Sequence, residues 1–413
     1  MSRTVFKAQS GVANATRRSP LGLHPTILLM AAAHVMVDGY GNIYAPMLPL
    51  LIPRLGLSLA AAGTLTMLFQ LAASVAQVGF GHLADRWRPR TLITIGPVVA
   101  VAVLSLVGLA TTRLALAAIL VAGGLGAAAF HPPAAALAHR LGGERRGFAM
   151  SVYITGGTLG FALGPLCFAP FAQRFGIEWT PVLALPGLAV VAFFLRRVPA
   201  IPVHPSGHGG LSALRPYAKP LTLLYVIVVL RTLASLTFAT FVPVMLTRRG
   251  LTIGEAGASV ALYLFGSGVG GFFGGPAADR YGARLVIALS LVLSFPFLFV
   301  APFLTGWQFV VVLAIGGLFL QSTLPVNVTF GQSLAPISAA TVSSLMMGFG
   351  WGTGGLSVPF VGMIADRIGI EHTLVGVSII PLFAALCALP LPARVRAVPV
   401  EQAGDIIVPE ARP

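Results

Sequence analysis

The sequence predicts an all-α integral membrane protein with twelve transmembrane helices arranged as two pseudo-symmetric six-helix bundles. Only 9% of its 413 residues are charged and 56% are hydrophobic, whereas soluble domains carry about 25% charged residues. Apolar runs of bilayer-spanning length alternate with short charged loops along the chain. Matching segments also recur in the two halves at a nearly constant offset, which indicates an internal duplication.

Six spans are expected in each half when the apolar runs are cut at charged residues and at Gly and Pro turn signals. In the first half they cover 25–52, 60–84, 90–111, 114–140, 146–171 and 179–196. In the second half they cover 220–246, 256–278, 284–304, 307–333, 340–365 and 372–391. The expected parts of the chain are therefore an N-terminal tail (1–24), two bundles (25–196 and 220–391), a flexible linker (197–219) and a C-terminal tail (392–413).

A charged cassette follows the second span of each half. It reads GHLADRWRPR over 81–90 and GPAADRYGAR over 275–284, so that Gly, Asp and two Arg recur at identical positions. Two more pairs of segments match at the same offset of 193 or 194 residues: RLGLS (54–58) with RRGLT (248–252), and RFGIEWT (174–180) with RIGIEHT (367–373). A half duplicated in parallel orientation is typical of transporters that move one bundle against the other.

The distribution of positive charge predicts that both termini are cytoplasmic. With the N-terminus inside, the cytoplasmic segments hold 19 of the 26 Lys and Arg residues, the outer loops hold 6, and Arg231 alone lies well within a span. Such an excess marks the cytoplasmic loops of membrane proteins. We therefore assign the net charge of +15 to membrane orientation and expect no nucleic-acid binding, because the basic residues are not interleaved with aromatic ones.

Two parallel six-span halves with the G-x-L-A-D-R-x-x-x-R cassette resemble the major facilitator superfamily. Within it, segments of four spans are similar to the fosmidomycin-resistance group of drug-efflux antiporters: HVMVD (34–38) and PMLP (46–49) in the first, FHPPA (130–134) in the fourth, LRT (230–232) and FVP (241–243) in the seventh, and LMMGFGWGTGG (345–355) in the eleventh. The resemblance implies the major facilitator fold and a bacterial inner-membrane transporter that exports small organic molecules or drugs by proton antiport through alternating access. Proton-coupled uptake (symport) of an organic anion is the alternative, because a coupled cycle runs in either direction.

No motif for cofactor-dependent chemistry is present. The chain has no Walker loop, no H-E-x-x-H motif and no cysteine cluster, since Cys167 and Cys387 lie apart in apolar spans. We therefore expect neither an enzyme nor a cofactor or metal. The expected partners are a small-molecule substrate, protons and the lipid bilayer, and we expect a monomer.

Asp38 is the candidate for proton coupling, because it is the only one of eleven acidic residues well inside a predicted span. An ionised carboxylate is costly in low dielectric, so such a group takes up a proton or pairs with a cation. His34 and Asn42 lie four residues before and after Asp38, on the same helix face, and His34 is expected to share the proton. A structural contact that locks the first helix to a neighbour is the alternative interpretation.

Arg231 is the candidate for binding an anionic substrate. It maps onto Asp38 through the offset of 193 residues, and pseudo-symmetry would place both near the central cavity. Its planar guanidinium suits a carboxylate, phosphate or phosphonate. We expect Arg231 to pair with Asp38 when the cavity is empty and to bind substrate when it is loaded; a permanent ion pair is the alternative.

Other polar or amphipathic side chains within the spans are expected to line the cavity, although each is also consistent with a hydrogen bond between helices. These are Asn42, Gln70, His131, Tyr153, Gln321, Asn327 and Trp351. Small residues in the fifth span resemble the G-x-x-x-G-P motif of antiporters and are expected to permit close helix packing. These are Gly156, Gly160, Gly164 and Pro165.

The two cassettes are expected to act as gates at the inner side of the membrane. A latch of ion pairs would close that side and stabilise the outward-open state; simple positive-inside anchoring is the alternative. The residues of the latch are Asp85, Arg86 and Arg90 in the first half and Asp279, Arg280 and Arg284 in the second.

Overall fold

The computed structural model describes residues 22–86, 89–142, 145–198, 211–335 and 339–392. Within these ranges the chain forms helices and turns and no strand. The helices group into twelve spans, α1 to α12, which confirms the predicted all-α membrane fold.

The first six spans form the N-terminal bundle, and four of them contain a break or a change of helix type. They are α1 (Pro25–Gly41 and Tyr44–Leu55), α2 (Leu59–Gln70, Leu71–Val75 and Ala76–Arg86), α3 (Pro89–Leu104 and Ser105–Leu109), α4 (Arg113–Gly142), α5 (Arg146–Phe175) and α6 (Ile177–Leu183 and Ala184–Leu195).

The C-terminal bundle follows a short 3-10 helix at Leu211–Tyr217. Its spans are α7 (Ala218–Arg248), α8 (Ile253–Tyr281), α9 (Ala283–Val300 and Ala301–Phe303), α10 (Gly306–Gln321 and Thr323–Leu334), α11 (Ala339–Ser343, Ser344–Phe349, Gly350–Gly355 and Val358–Ile368) and α12 (Ile370–Ser378 and Ile380–Ala388).

Ten helical stretches of the described ranges are long and apolar enough to cross a bilayer. The spans α1 and α11 are not among them, because each is interrupted. The interruption of α1 falls at Asn42 and Ile43, directly after the turn that carries Asp38, and that of α11 falls at Leu356 and Ser357. Broken helices are where transporters commonly place their binding groups.

Turns of π-helix occur in α2 (Leu71–Val75) and in α11 (Ser344–Phe349). The two turns lie against each other, since a Cβ atom on Gly348 would be 3.3 Å from the carbonyl oxygen of Ser74. Such turns are rare and are frequent at functional sites, and this contact lies at the boundary between the bundles.

Four glycine turns lie at the face remote from the first and last described residues, which we call the distal face; the opposite face is the proximal face. Gly56, Gly176, Gly250 and Gly369 have φ of 58°, 95°, 91° and 89°, a region that favours glycine. Gly250 corresponds to Gly56, and Gly369 to Gly176, through the offset found in the sequence. The two halves therefore repeat the same turn geometry.

The connection between the bundles is more helical than its composition predicts. Of the expected linker 197–219, residues 199–210 lie outside the described ranges, as do the tails 1–21 and 393–413. The remainder continues into the 3-10 helix Leu211–Tyr217 and the start of α7, where Leu214 is buried. Burial of this apolar side chain accounts for the order that Pro and Gly content alone did not predict.

Large apolar side chains cover the outer helix surfaces. Phe272, Phe273 and Phe360 are each more than 60% exposed, and a surface of this kind requires lipid instead of water. At the distal face, Arg249 forms an ion pair with Glu371 (3.3 Å) and donates to the carbonyl of Leu304 (3.2 Å). These contacts join the end of α7 to the end of α9 and the start of α12 within the C-terminal bundle.

Candidate functional site

Asp38, His34 and His131 meet inside the N-terminal bundle. Nε2 of His34 lies 3.1 Å from Oδ2 of Asp38, and Nε2 of His131 lies 3.1 Å from Oδ1. Asp38 and His34 are buried and His131 is partly buried. Each carboxylate oxygen thus has its own imidazole partner, and we call these three side chains the His–Asp–His cluster.

The sequence spacing accounts for the contact between His34 and Asp38. His34 and Asp38 occupy positions i and i+4 of the helix Pro25–Gly41, as predicted, and so share one face. The helix ends directly afterwards, where the N–H of Asn42 donates to the carbonyl of Asp38 at 3.1 Å. Asp38 therefore lies in the last turn of this helix, and its side chain faces the neighbouring helices.

His131 completes the cluster from α4, although the sequence assigned it to cavity lining and not to Asp38. The Pro132–Pro133 pair follows it inside α4, which runs without interruption from Arg113 to Gly142. Contact between α1 and α4 depends on how the helices pack, which no spacing rule gives. Nδ1 of His131 is buried and has no hydrogen-bond partner.

The backbone carbonyl of Tyr153 fixes the orientation of His34. Nδ1 of His34 lies 2.9 Å from this oxygen, and the Tyr153 ring stacks on the imidazole with centroids 4.3 Å apart. The ring of Phe130 meets His34 edge-on at 5.9 Å. The hydroxyl of Tyr153 also donates to the carbonyl of His131 at 3.5 Å, so residue 153 contacts the cluster through its main chain, its ring face and its hydroxyl.

Gly157 forms the floor of the cluster. A Cβ atom at this position would lie 2.5 Å from both Oδ2 of Asp38 and Nε2 of His34, closer than real Cβ contacts come. Only glycine leaves the two polar atoms in place. Sequence reasoning missed Gly157, although its position beside Gly156 in a glycine-rich helix was a usable signal.

The glycines predicted for helix packing line the α5 surface that contacts α1. A Cβ on Gly156, Gly160 or Gly164 would lie 2.4–2.5 Å from a backbone carbonyl of α1. The carbonyl of Pro165 faces α8 instead, 2.8 Å from a Cβ position on Gly257. Helix α5 therefore contacts the cluster helix on one side and the C-terminal bundle on the other.

Arg231 forms a separate polar site in the C-terminal bundle. Its side chain is only 1% exposed and donates to Oε1 of Gln321 and to Oγ1 of Thr232, while its guanidinium lies 5.4 Å from the ring centroid of Trp351. Its Nε atom is buried without a partner. Gln321 and Trp351, both predicted to line the cavity, are thus brought together with Arg231.

The predicted pairing of Arg231 with Asp38 is not formed in this structure. The ion-pair partners of Asp38 are the two histidines of its own bundle, and Arg231 has no carboxylate within 4 Å among the described residues. Pseudo-symmetry relates equivalent positions in two bundles, but it does not fix the distance between them across the boundary.

The remaining predicted cavity residues make packing contacts or lie buried. The amide of Asn42 donates to the carbonyl of Phe161 at 2.9 Å, which joins the break in α1 to α5. Gln70 is buried and packs against Gly355 of α11. Asn327 is fully buried, and neither of its amide atoms has a hydrogen-bond partner.

The expected ion-pair latch is not present in the C-terminal cassette. Asp279 is exposed and forms no ion pair with Arg280 or Arg284; Arg280 lies over the ring of Tyr281, and Arg284 donates to the carbonyl of Leu391 at 3.3 Å. Hydration at the surface weakens such pairs, which explains why the fixed spacing does not produce one here. In the N-terminal cassette Arg90 is exposed, and the side chains of Asp85 and Arg86 lie outside those the structure describes.

The fold and the duplicated halves agree with a sequence-profile match. The profile of the Major Facilitator Superfamily matches residues 30–254 and 223–407, which together include both bundles. The chain belongs to the major facilitator superfamily. It is accordingly a multi-pass membrane transporter and not an enzyme.

Similar proteins cover nearly the same length. The fosmidomycin resistance protein of Escherichia coli (strain K12) is 28% identical over 368 residues, which cover 86% of this chain and 90% of that protein. The MFS-type transporter YfnC of Bacillus subtilis (strain 168) is 27% identical over 385 residues, with coverage of 89% and 93%. These matches extend over both bundles, so the similarity is not confined to the cassettes.

Solved structures share the fold at lower identity. A bacterial homolog of the human lysosomal transporter Spinster, in an inward-facing and unoccupied conformation, has a TM-score of 0.71 at 18% identity and covers 88% of this chain and 95% of its own. A point mutant of the nucleoside transporter NupG has a TM-score of 0.70 at 16% identity, with coverage of 88% and 99%. At such identities the likeness shows the fold alone.

Proposed function

We propose that this transporter exports small organic molecules across a bacterial inner membrane in exchange for protons, and that the His–Asp–His cluster carries the proton. The name of the Escherichia coli relative supports export of a drug. The observation that carries the proton assignment is the geometry of His34, whose two ring nitrogens both contact oxygen atoms.

The contacts of His34 require one proton more than a neutral imidazole supplies. The carbonyl of Tyr153 only accepts hydrogen bonds, so Nδ1 of His34 carries the hydrogen. A neutral imidazole then has a bare lone pair on Nε2, which faces Oδ2 of Asp38 at 3.1 Å. Two lone pairs do not face each other at this distance, so a proton lies between them, on the carboxyl or on the imidazole.

His131 needs no extra proton. Its Nδ1 has no hydrogen-bond partner, so the neutral ring with hydrogen on Nε2 satisfies the contact with Oδ1 of Asp38. With the additional proton shared by His34 and Asp38, the cluster is neutral overall. Loss of that proton leaves a buried negative charge and opposed lone pairs, both unfavourable in a membrane interior.

The described arrangement is therefore the proton-loaded one, and deprotonation favours a different packing of three helices. The cluster takes His34 and Asp38 from α1, His131 from α4 and the Tyr153 carbonyl from α5. Because α5 also packs on α8 of the other bundle through Pro165 and Gly257, a change in the cluster reaches the boundary between the bundles. This provides the coupling that alternating access requires.

Proteoliposomes test the proposal directly. With fosmidomycin as the first substrate, an imposed proton gradient should drive it in the direction opposite to proton flow, and a pH-sensitive dye should report proton movement that depends on substrate. Accumulation of substrate in the direction of proton flow would instead establish symport. Substrate movement unaffected by the gradient would remove the proton from the mechanism.

Uptake of an organic anion is the second candidate, and the environment of Arg231 favours it. A guanidinium buried in a membrane bundle without a carboxylate partner is costly, and its unpartnered Nε offers a donor to an anionic group. Gln321, Thr232 and Trp351 already hold the rest of the side chain. An anionic substrate would supply the missing counter-charge.

Replacing Arg231 by alanine should therefore weaken transport of anionic compounds at least about tenfold more than that of neutral ones, because hydrogen bonds to charged groups contribute about 1.5–3 kcal/mol. Concentration dependence of uptake for matched anionic and neutral substrates measures the difference. Arg231→Lys is the control that keeps the charge but not the planar fork. Equal losses for both substrate classes would make Arg231 a structural residue.

A further inference from the structure

A carboxylate of one bundle caps a helix of the other at the distal face. Oδ1 of Asp366, near the end of α11, accepts from the N–H of Leu59, and Oδ2 accepts from the N–H of Ala60, both at 2.9 Å. Leu59 and Ala60 are the first residues of α2, whose N–H groups have no partner within their own helix. A negative charge at a helix N-terminus is stabilising.

An equivalent contact is present at the other junction of the bundles, between α5 and α8, but there the acceptor is a neutral amide. The offset of 193 residues places Gln173 of α5 in the position of Asp366, and that of 194 places Gly254 of α8 in the position of Ala60. Oε1 of Gln173 accepts from the N–H of Gly254 at 2.7 Å. One junction of the bundles is thus held by a charged cap with two bonds, and the other by an amide with one.

Both junctions are closely packed, but an open cleft lies beside only one of the two caps described here. Beside Asp366, a Cβ on Gly362 would lie 2.4 Å from the carbonyl of Leu59, and one on Gly63 would lie 2.7 Å from that of Val358. In the α5–α8 junction, a Cβ on Gly257 would likewise lie 2.8 Å from the carbonyl of Pro165. Beside Gln173, however, there is an open cleft of about 480 Å³ lined by residues of both bundles, among them Arg248.

We infer that Asp366 is the principal latch of the distal face and sets the balance between the distal-closed state and the distal-open state, with Gln173 as its weaker counterpart. Opening of this face must separate α11 from α2, and so must break both bonds to Asp366. The cap at the α5–α8 junction has one bond and no charge. This charged cap lies at the distal face. The cassettes, which the sequence predicted to act as gates, lie at the opposite, proximal face.

Distances between spin labels in lipid nanodiscs test this inference without substrate or proton gradient, so its failure and that of proton coupling are distinguishable. Labels go on cysteines replacing Arg54 and Arg248, which are exposed distal residues in different bundles, after Cys167 and Cys387 are changed to alanine. We expect Asp366→Asn to raise the ratio of distal-open to distal-closed molecules roughly two- to thirtyfold, the range of measured helix caps. Gln173→Glu should lower that ratio.

A pair of variants at Leu59 isolates the hydrogen bond from the side chain. Leu59→Pro removes the N–H that donates to Asp366. Proline fits this first helical position because the preceding residue, Ser58, has an extended backbone (φ −78°, ψ 166°). Leu59→Ala loses the side chain but keeps the N–H. We expect the proline variant to be more open than the alanine variant, and the difference to vanish when Asp366→Ala, which leaves no acceptor, is also present.

Two results would overturn the inference. One is an unchanged distance distribution in both Asp366→Asn and Gln173→Glu. The other is equal opening in the proline and alanine variants of Leu59. If Asp366→Asn does not fold, Gln173→Glu still tests the inference. It leaves the cap at Asp366 unchanged, and the expected result is a lower ratio of distal-open to distal-closed molecules.

Discussion

Replacing Asp38 by asparagine should abolish gradient-driven transport while the protein stays folded and still exchanges substrate across the membrane. The asparagine amide satisfies the same two contacts without a labile proton: its oxygen accepts from Nε2–H of His131, and its nitrogen donates to the lone pair on Nε2 of His34. The variant therefore mimics the proton-loaded cluster permanently.

The size of this effect follows from the driving force. A gradient of about one pH unit corresponds to about 1.36 kcal/mol per proton, so with one proton per substrate the natural chain should concentrate substrate about tenfold. The steady-state ratio in the variant should fall to unity, while exchange of labelled for unlabelled substrate at equal pH continues. Both are measured in the same proteoliposomes.

Glu178→Gln is the matched control, since it removes an exposed carboxylate at the distal face. It should leave the concentration ratio unchanged. A ratio in Asp38→Asn equal to that of the natural chain would show that the proton is carried elsewhere. Loss of exchange together with loss of the gradient effect would show that Asp38 is needed for movement itself and not for coupling.

Among substitutions that add one methyl group in the N-terminal bundle, Gly157→Ala should reduce the rate of coupled transport most. The added Cβ would lie 2.5 Å from both Oδ2 of Asp38 and Nε2 of His34, so the two groups must separate. Overpacking of this kind costs about 1–3 kcal/mol, which reduces the population of the clustered conformation roughly 5- to 150-fold. Gradient-driven transport measured against pH should fall accordingly.

Two alanine variants separate this effect from general changes in the helices. Gly79→Ala in α2 adds a Cβ that meets nothing within 4 Å, so it should retain coupling. Gly156→Ala meets the carbonyl of Ala31 at 2.4 Å, so it should lower thermal stability through the α1–α5 contact. Coupling in Gly157→Ala equal to that of Gly79→Ala would refute the steric argument.

The sequence predicted the twelve spans because apolar run length and turn residues are local properties. It also predicted the contact between His34 and Asp38, because residues four positions apart lie next to each other on one face of a helix. It did not predict His131 as the second partner of Asp38, since that contact arises from the packing of α4 on α1. The contact at the interruption of α1 likewise arises from helix packing, since the side chain of Asn42 donates to the carbonyl of Phe161 in α5.

Two expected ion pairs are not formed among the described residues, and they share a cause. Pairing of Arg231 with Asp38 and pairing within the C-terminal cassette were both argued from charge and position, without knowledge of competing partners. Arg231 donates to Gln321 and Thr232, and Asp279 faces solvent. A charged contact between the bundles instead involves Asp366 and backbone N–H groups, which sequence patterns of opposite charges do not reveal.

The acceptor that orients His34 is a main-chain oxygen, and this has an evolutionary consequence. A carbonyl is present at position 153 whatever side chain stands there, so mutation of Tyr153 changes the ring that stacks on His34 but not the atom that keeps hydrogen on Nδ1. In the proposed antiport mechanism, substitutions at position 153 therefore change the ring beside the cluster while the number of protons exchanged per molecule stays the same. Side-chain variation and proton stoichiometry would then be inherited separately at this position.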